Sequence, residues 1–131
     1  MKSEDTLRVG QDIAERLERL ATASLKTACA LPKHPAYRNV GQQLARAATA
    51  SGANYEEACA AQSRADFIYK VSLAAKELRE AIYWLKLARG AEAIPIANVD
   101  PLIDEATQLV AILGASVRTA RENGRLSELP R

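Results

Sequence analysis

Apolar residues recur every three or four positions along four long stretches of the chain, a spacing that places them on one face of an α-helix. Two proline-containing segments interrupt the pattern, LPKHPAY at 31–37 and RGAEAIPIANVDP at 89–101. Proline inside a helix costs about 3 kcal/mol, so both segments predict connections between helices. A third break is predicted at Ser63, because Ser63 followed by Asp66 three positions later is a variant of the N-terminal capping box.

These breaks predict four helices and a flexible tail, with approximate bounds 5–30, 37–61, 64–89, 100–122 and 123–131. We expect Asp100 to cap the fourth helix, with Pro101 at its first position. Because short connections make consecutive helices antiparallel, the sequence predicts one all-α domain over 1–131, an antiparallel up-and-down four-helix bundle.

Composition supports a helical core. Apolar residues make up 48% of the 131 positions but aromatic residues only 5%, so the core must consist mainly of Ala, Leu, Ile and Val. Alanine is the strongest helix former, whereas strand-favouring aromatic residues are scarce. Leu7, Ile13 and Leu17 are expected to begin the core-facing side of the first helix.

The N-terminal segment MKSEDTLRVGQD is polar, unlike a secretory signal peptide, and no stretch has the roughly 20 apolar residues of a membrane span. We therefore expect a soluble cytoplasmic protein with no membrane partner. The formal net charge of +2 is too balanced to indicate a nucleic-acid binder by itself.

The residues needed for catalysis or metal binding are sparse. His34 is the single histidine and is expected in an exposed connection, so neither a Glu-x-x-His metal motif nor an imidazole base beside a nucleophile is evident. Cys29 and Cys59 are expected to be buried and too far apart for a disulfide. We predict no catalytic residue, metal site or cofactor; an enzyme would require a site assembled between subunits from Glu57, Lys70 and Glu77.

The third predicted helix carries an exposed cationic side. With Phe67 and Val71 on its core face, a helical wheel places four residues on the opposite side, here named the basic face: Lys76, Arg79, Tyr83 and Lys86. Cations interleaved with an aromatic ring are typical of a surface that contacts a phosphate backbone. The alternative is an ordinary solvated helix face.

A further side of the same helix holds Leu73 and Trp84, flanked by Glu77 and Glu80. One apolar side per helix is enough for a bundle, so this second one predicts either an oligomer interface formed by the four residues or a widened core contact. The sequence leaves both open.

The second predicted helix has small and polar residues at helical spacing, Ala47, Ser51, Asn54 and Ala58. Such a face favours close packing of helices, with Asn54 hydrogen-bonded across the contact. The alternative is a ligand contact at Asn54 or Glu57.

The segment 43–87 resembles the four-helix-bundle proteins encoded in intervening sequences of bacterial large-subunit ribosomal RNA genes, and the related accessory variability proteins of diversity-generating retroelements. The resemblance is carried by a combined motif whose structural residues are Arg46, Ser51, Asn54, Glu57, Ser63, Asp66, Phe67 and Lys70. The motif continues with Lys76, Glu77, Glu80 and the Trp84-Leu85 pair.

The resemblance implies a ring-like homopentamer with a basic surface and no catalytic activity. The retroelement relatives bind a reverse transcriptase and nucleic acid. The sequence is therefore interpreted as a non-catalytic oligomeric accessory or scaffold protein that binds RNA or DNA through the basic face. The alternative is a protein-interaction module, with a reverse transcriptase or another protein as partner and no role for nucleic acid.

Overall fold

The chain folds into four α-helices, with no β-strand, over residues 3–130, which the computed structural model describes. Their bounds are Glu4–Ala30 (α1), Pro35–Cys59 (α2), Arg64–Gly90 (α3) and Ile96–Ser127 (α4). Each helix packs against the next in the chain, and α1 closes the bundle through a smaller contact with α4. The predicted four-helix, all-α fold is confirmed.

Side-chain caps fix the starts of the first three helices. Ser3 Oγ and Ser63 Oγ each accept a hydrogen bond from the backbone amide three residues later, at 3.1 and 3.0 Å. His34 Nδ1 accepts one from the Ala36 amide at 3.1 Å. Such caps satisfy amides that have no partner inside the helix, so Ser63 does start α3 as its sequence predicted.

The prediction for the start of the second helix was two residues late. Pro35 occupies the first position of α2, where its fixed φ suits the helix and its missing N–H is not needed. His34, expected as a plain loop residue, is exposed but acts as the N-cap. The helix ends at Cys59 rather than 61.

The predicted start of the fourth helix was also wrong. α4 begins at Ile96, directly after Pro95, so Asp100 and Pro101 lie inside the helix. Asp100 instead accepts a hydrogen bond from Arg89 Nη1 of α3 at 2.9 Å. Pro101 is the sixth residue of α4, so its missing N–H leaves the Ala97 carbonyl without its usual helical donor.

The flexible tail predicted from 123 is helical as far as Ser127. The Arg64 side chain packs over Gly124, where an added Cβ would lie 3.2 Å from Arg64 Cδ, and Arg64 Nη1 donates to the Ser127 hydroxyl at 3.5 Å. This contact with the start of α3 supports the last turns of α4. Position 131 of the predicted tail lies outside the described residues.

Leucine and alanine dominate two groups of buried side chains that follow one another along the bundle. On α3, Val71 and Leu78 belong to the first group and Leu85 to the second, and all three are fully buried. Leu7 was wrongly assigned to the core, since 56% of its surface is exposed at the outer end of α1. Within residues 3–130, every helix is too short or too polar to span a lipid bilayer.

The contact between α1 and α4 includes an ion pair. Arg16 Nη2 donates to Glu105 Oε1 at 2.6 Å and Arg16 Nε to Glu105 Oε2 at 2.9 Å. Toward the start of α1 the two helices border a cavity of about 670 Å³, lined on the α1 side by Val9 and Ile13. The bundle is therefore least tightly closed along this edge.

The turn from α3 to α4 contains a residue with positive φ. Glu92, at φ 56°, follows the C-cap Ala91, and the amides of Glu92 and Ala93 bond the carbonyls of Arg89 and Ala88 at 3.0 Å each. This is a Schellman motif, in which glycine usually takes the left-handed position. In this chain Glu92 occupies that position, whereas Gly90 is the last residue of α3.

The hydroxyl of Ser24, fully buried on α1, has no hydrogen-bond partner among the described residues. Burying an unpaired hydroxyl is unfavourable, so Ser24→Ala should leave the free energy of unfolding unchanged or raise it by about 1 kcal/mol. Urea denaturation measures this, with exposed Ser3→Ala as a contrasting variant that loses a helix cap and some stability. A loss above about 1 kcal/mol in Ser24→Ala would show that the hydroxyl is satisfied.

Candidate nucleic-acid interface

The four residues of the basic face lie on the side of α3 that points away from the core. Lys76, Arg79, Tyr83 and Lys86 are all exposed, Tyr83 at 55% of its surface. Their spacings of three, four and three keep them on one side over three helical turns, a length of about 15 Å. The side chains can therefore contact one extended ligand together.

The three cations of the basic face form no ion pair within residues 3–130, whereas neighbouring acids on α3 do. Arg46 on α2 reaches across to Glu77 Oε2 at 3.0 Å and to Glu80 Oε1 at 2.5 Å. The Arg46 hydrogen bond holds the pKa of the Glu80 carboxyl below its usual value, and nearby Lys76 adds a smaller electrostatic contribution. The acids beside the basic face are thus already partnered by Arg46.

Arg46, Glu77 and Glu80, here named the Arg46 cluster, also join α2 to α3. Hydrogen bonds to Glu80 and then Glu77 raise the pKa of Arg46 above its ordinary value. The predicted interface residues Glu77 and Glu80 are therefore engaged within one chain. Only 15% of the Glu77 side chain is exposed, compared with 47% of Arg46.

The remaining two predicted interface residues, Leu73 and Trp84, are half-buried. Trp84 packs against the second group of core residues, its Nε1 donates to Glu80 Oε1 at 3.4 Å, and its ring meets that of Tyr83 edge to face at 5.1 Å between centroids. Trp84 thus contributes to the core and still has surface available for a partner.

The small residues of α2 form a packed face. Ala47, Ser51 and Ala58 are at most 1% exposed. Ser51 Oγ donates to the Ala48 carbonyl at 2.7 Å, and Asn54 Nδ2 donates to the Ala50 carbonyl at 2.9 Å. The expected hydrogen bond from Asn54 to another helix is wrong, because its amide group caps a carbonyl one turn earlier in α2.

The other motif residues bracket the α2–α3 turn. Glu57 accepts from Lys70 Nζ at 3.2 Å, and Ser63 caps the Asp66 amide. Phe67 packs against the first group of core residues and lines the 670 Å³ cavity. These residues connect two helices and form no cluster of reactive groups.

No group of three or more potential metal ligands occurs within residues 3–130. Cys29 and Cys59 are exposed and form no disulfide with each other, so the expectation that they are buried was wrong. Tyr55, one turn before Cys59, is buried, and this burial raises its pKa, with a smaller contribution from Cys59. Tyr55 lines the 670 Å³ cavity together with Cys59.

Sequence reasoning missed Arg46 as the partner of the α3 acids and a second cavity, of about 460 Å³, at the α1–α2 connection. Arg46 was singled out only through a family motif, since its partner Glu77 lies 31 positions away. The second cavity did have a signal, the basic and aromatic residues within KHPAYR at 33–38.

Arg46→Gln should lower the melting temperature at pH 7 by about 2–4 °C, a small effect because the cluster is partly exposed. The depressed pKa of Glu80 means that its stabilising effect is present above the unfolded carboxyl pKa of about 4.3 and is lost as the pH falls through the lower folded value. The difference from the unmodified protein should therefore close in acid, as calorimetry at pH 7 and pH 3 would show.

The control for that experiment is Arg8→Gln, which removes an exposed cation without an ion pair in the described structure. Its melting temperature should differ from that of the unmodified protein by a similar, small amount at both pH values. If the Arg46→Gln difference were as large in acid as at neutral pH, the cluster would not be stabilised by charge.

Comparison with known proteins places this geometry in context. The model of a family described as 23S rRNA-intervening sequence protein matches residues 11–115. A crystal structure from Bacteroides thetaiotaomicron VPI-5482, described as a protein with unknown function from the S23 ribosomal protein family, is 30% identical, with a TM-score of 0.75. That match covers 80% of this chain and 97% of the other. No curated protein matches the chain.

Proposed function

We propose that the chain, which belongs to the 23S rRNA-intervening sequence protein family, is a non-catalytic helical accessory or scaffold protein that binds the backbone of RNA or DNA. The observation that carries this proposal is the basic face of α3, whose three cations are exposed and form no ion pair in the described structure. Phosphates attract such side chains, and displaced counterions add to the binding free energy.

Backbone contact of this kind predicts weak dependence on sequence. Lys76, Arg79 and Lys86 provide charge, and the exposed Tyr83 ring provides a surface on which an unpaired base can stack. Neither group reads base edges in a fixed pattern. We therefore expect single-stranded and duplex ligands of mixed sequence to bind with similar salt dependence per phosphate contacted.

Oligomerisation forms part of the same proposal, as a homopentameric ring with Leu73 and Trp84 at or near the subunit contacts. Five copies would repeat the basic face around the ring, so that one strand could contact several subunits. Linked contacts raise the overall affinity without new contacts in each subunit.

The experiment that tests the proposal is a salt titration of binding to a fluorescent single strand and to a duplex, combined with light scattering to obtain the mass. A subunit that contacts three phosphates of a duplex should give a log–log slope of about −2.7, and hence lose about 40-fold in affinity between 50 and 200 mM salt. A steeper slope together with a mass near five chains supports the ring. Affinity that does not change with salt would contradict binding to the backbone.

A second candidate function is a protein-interaction module, with a reverse transcriptase or another protein as partner. It is favoured by Trp84, which keeps exposed surface next to Tyr83 and to Leu87, the latter 39% exposed. Aromatic residues with accessible surface frequently anchor protein contacts.

Trp84→Ala distinguishes a core contact from an interface. Loss of the indole should lower the free energy of unfolding by about 2 kcal/mol in either case, because Trp84 packs on the second group of core residues. A change in the mass measured by light scattering is expected only if Trp84 lies in a subunit contact. Tyr69→Ala removes an aromatic residue that is 59% exposed on α3 and should change neither quantity.

A further inference from the structure

The second cavity lies at the connection between α1 and α2, remote in sequence from the basic face. Its volume is about 460 Å³, within the range of roughly 300–1,000 Å³ typical of small-molecule sites. The end of α1, the connection and the first three turns of α2 form its walls. We name it the connection cavity.

The charges around the connection cavity all have one sign. Lys33 and Arg38 line it, and no aspartate or glutamate does. Both side chains are exposed and form no ion pair within residues 3–130. A cavity with two cations and no acid complements an anion, and a guanidinium beside an ammonium is suited to phosphate oxygens.

His34 supplies an oriented donor at the same place. Its Nδ1 accepts the Ala36 amide hydrogen bond that caps α2, so in the neutral ring the proton is on Nε2. The cap thereby fixes the position of the ring, which lines the cavity, and leaves Nε2 as its free donor. The Tyr37 ring meets His34 edge to face at 6.4 Å between centroids, so two aromatic side chains border the cavity.

The inner wall of the connection cavity is apolar and closely packed. Leu31 is 7% exposed, and a Cβ added to the buried Gly41 would approach the Leu31 side chain to 3.3 Å. Such packing leaves the wall little freedom to collapse into the space. The cavity thus combines an apolar wall, aromatic rings and phosphate-binding donors.

We propose that the connection cavity binds a nucleoside monophosphate unit, either a free nucleotide or the phosphorylated end of a nucleic-acid strand. Lys33 and Arg38 bind the phosphate, His34 donates from Nε2, and the base packs against the rings of His34 and Tyr37. Only the strand-end source rests on the function proposed above, because a free nucleotide requires no contact with the basic face.

Isothermal titration calorimetry of the whole chain with AMP tests the site. We expect AMP to bind saturably. Inorganic phosphate, which has no base to pack against the rings, should bind at least about tenfold more weakly than AMP. Lys33→Gln with Arg38→Gln should weaken AMP binding by about 10- to 100-fold through lost charge-assisted hydrogen bonds. The matched control, Arg8→Gln with Arg121→Gln, removes two exposed cations outside the cavity and should bind AMP normally.

His34→Asn separates the role of the ring from folding, because asparagine is among the best N-caps and should preserve the start of α2. AMP affinity should fall at least about threefold while the melting temperature stays within a few degrees of that of the unmodified protein. Unchanged AMP affinity in both His34→Asn and the Lys33/Arg38 variant would overturn the assignment.

Two oligonucleotides, identical except for a 5′-phosphate or a 5′-hydroxyl, distinguish the two sources. Tighter binding of the phosphorylated strand, lost in the Lys33/Arg38 variant, identifies a strand end; equal binding of both strands together with AMP binding identifies a free nucleotide. Reversal of the basic face should abolish strand binding but leave AMP binding intact, so each proposal can fail without the other. No AMP binding at millimolar concentration, with no preference for the phosphorylated strand, overturns the inference.

Discussion

Reversing the basic face, by Lys76→Glu, Arg79→Glu and Lys86→Glu together, should weaken nucleic-acid binding by at least about 1,000-fold at 50 mM salt. Each substitution removes a phosphate contact and adds repulsion at the same point. The three side chains are exposed and form no ion pair within the described structure, so the variant should fold normally. Fluorescence anisotropy with a labelled strand measures the affinity, and circular dichroism verifies the helix content.

The control for this reversal matches its change in net charge. Arg8→Glu, Lys26→Glu and Arg121→Glu together alter exposed cations on α1 and α4. A weaker overall electrostatic attraction between protein and nucleic acid would lower the affinity of both variants. Loss of contacts made by the basic face would lower the affinity of the first variant only. If both variants lost affinity equally, binding would follow total charge and the basic face would have no special role.

Leu109→Ala should lower the free energy of unfolding by about 3–5 kcal/mol. Leu109 is fully buried on α4, in the first group of core residues, and truncation removes apolar contacts and leaves a cavity. Domains of this size have about 5–15 kcal/mol of stability in total, so the melting temperature should fall by about 10 °C or more. Urea unfolding at 25 °C provides the direct measurement.

Leu126→Ala makes the same chemical change on the same helix, at a side chain that is 56% exposed. It should cost less than about 1 kcal/mol, because little apolar surface returns to water. Equal losses at the two positions would mean that Leu126 is covered, as it would be in an assembly. Repeating the experiment over a range of protein concentrations would then reveal association.

The helices could be predicted because periodicity and proline act locally. Ser63 shows this best: its hydroxyl caps the amide three residues later and so marks the start of α3, and both residues lie within one short segment of the sequence. The end of α4 was missed because its support is not local. Arg64, about 60 positions away, packs over Gly124 and supports the helix beyond position 122, where it was predicted to end.

The turn at Glu92 shows a second limit. Sequence preferences associate a helix stop with glycine, so Gly90 was the natural choice, yet the left-handed residue is Glu92. Hydrogen bonds from Glu92 and Ala93 back to α3 stabilise this conformation. The motif thus forms here without glycine in the left-handed position, which a preference for glycine alone does not predict.

For the site, the exposed position of the basic face followed from one helical wheel, because all four residues are on the same helix. The Arg46 cluster did not follow, because it joins helices whose rotation about their own axes depends on packing. The error at Asn54 had the same cause. Residue spacing predicted the face of α2 on which Asn54 lies, but not the direction in which its side-chain amide points.

The helix that bears the basic face is also the one held most firmly. α3 packs extensively against both α2 and α4, whereas α1 has one extensive neighbour and only a small contact with α4. Thermal opening of the bundle should therefore begin with α1, while the amides of α3 should exchange with solvent last. A strand bound to α3 would meet a helix backbone that is already ordered, so the ordering cost of binding falls mainly on the exposed side chains. We therefore expect motion to be greatest on the side of the bundle away from the surface that we propose for binding.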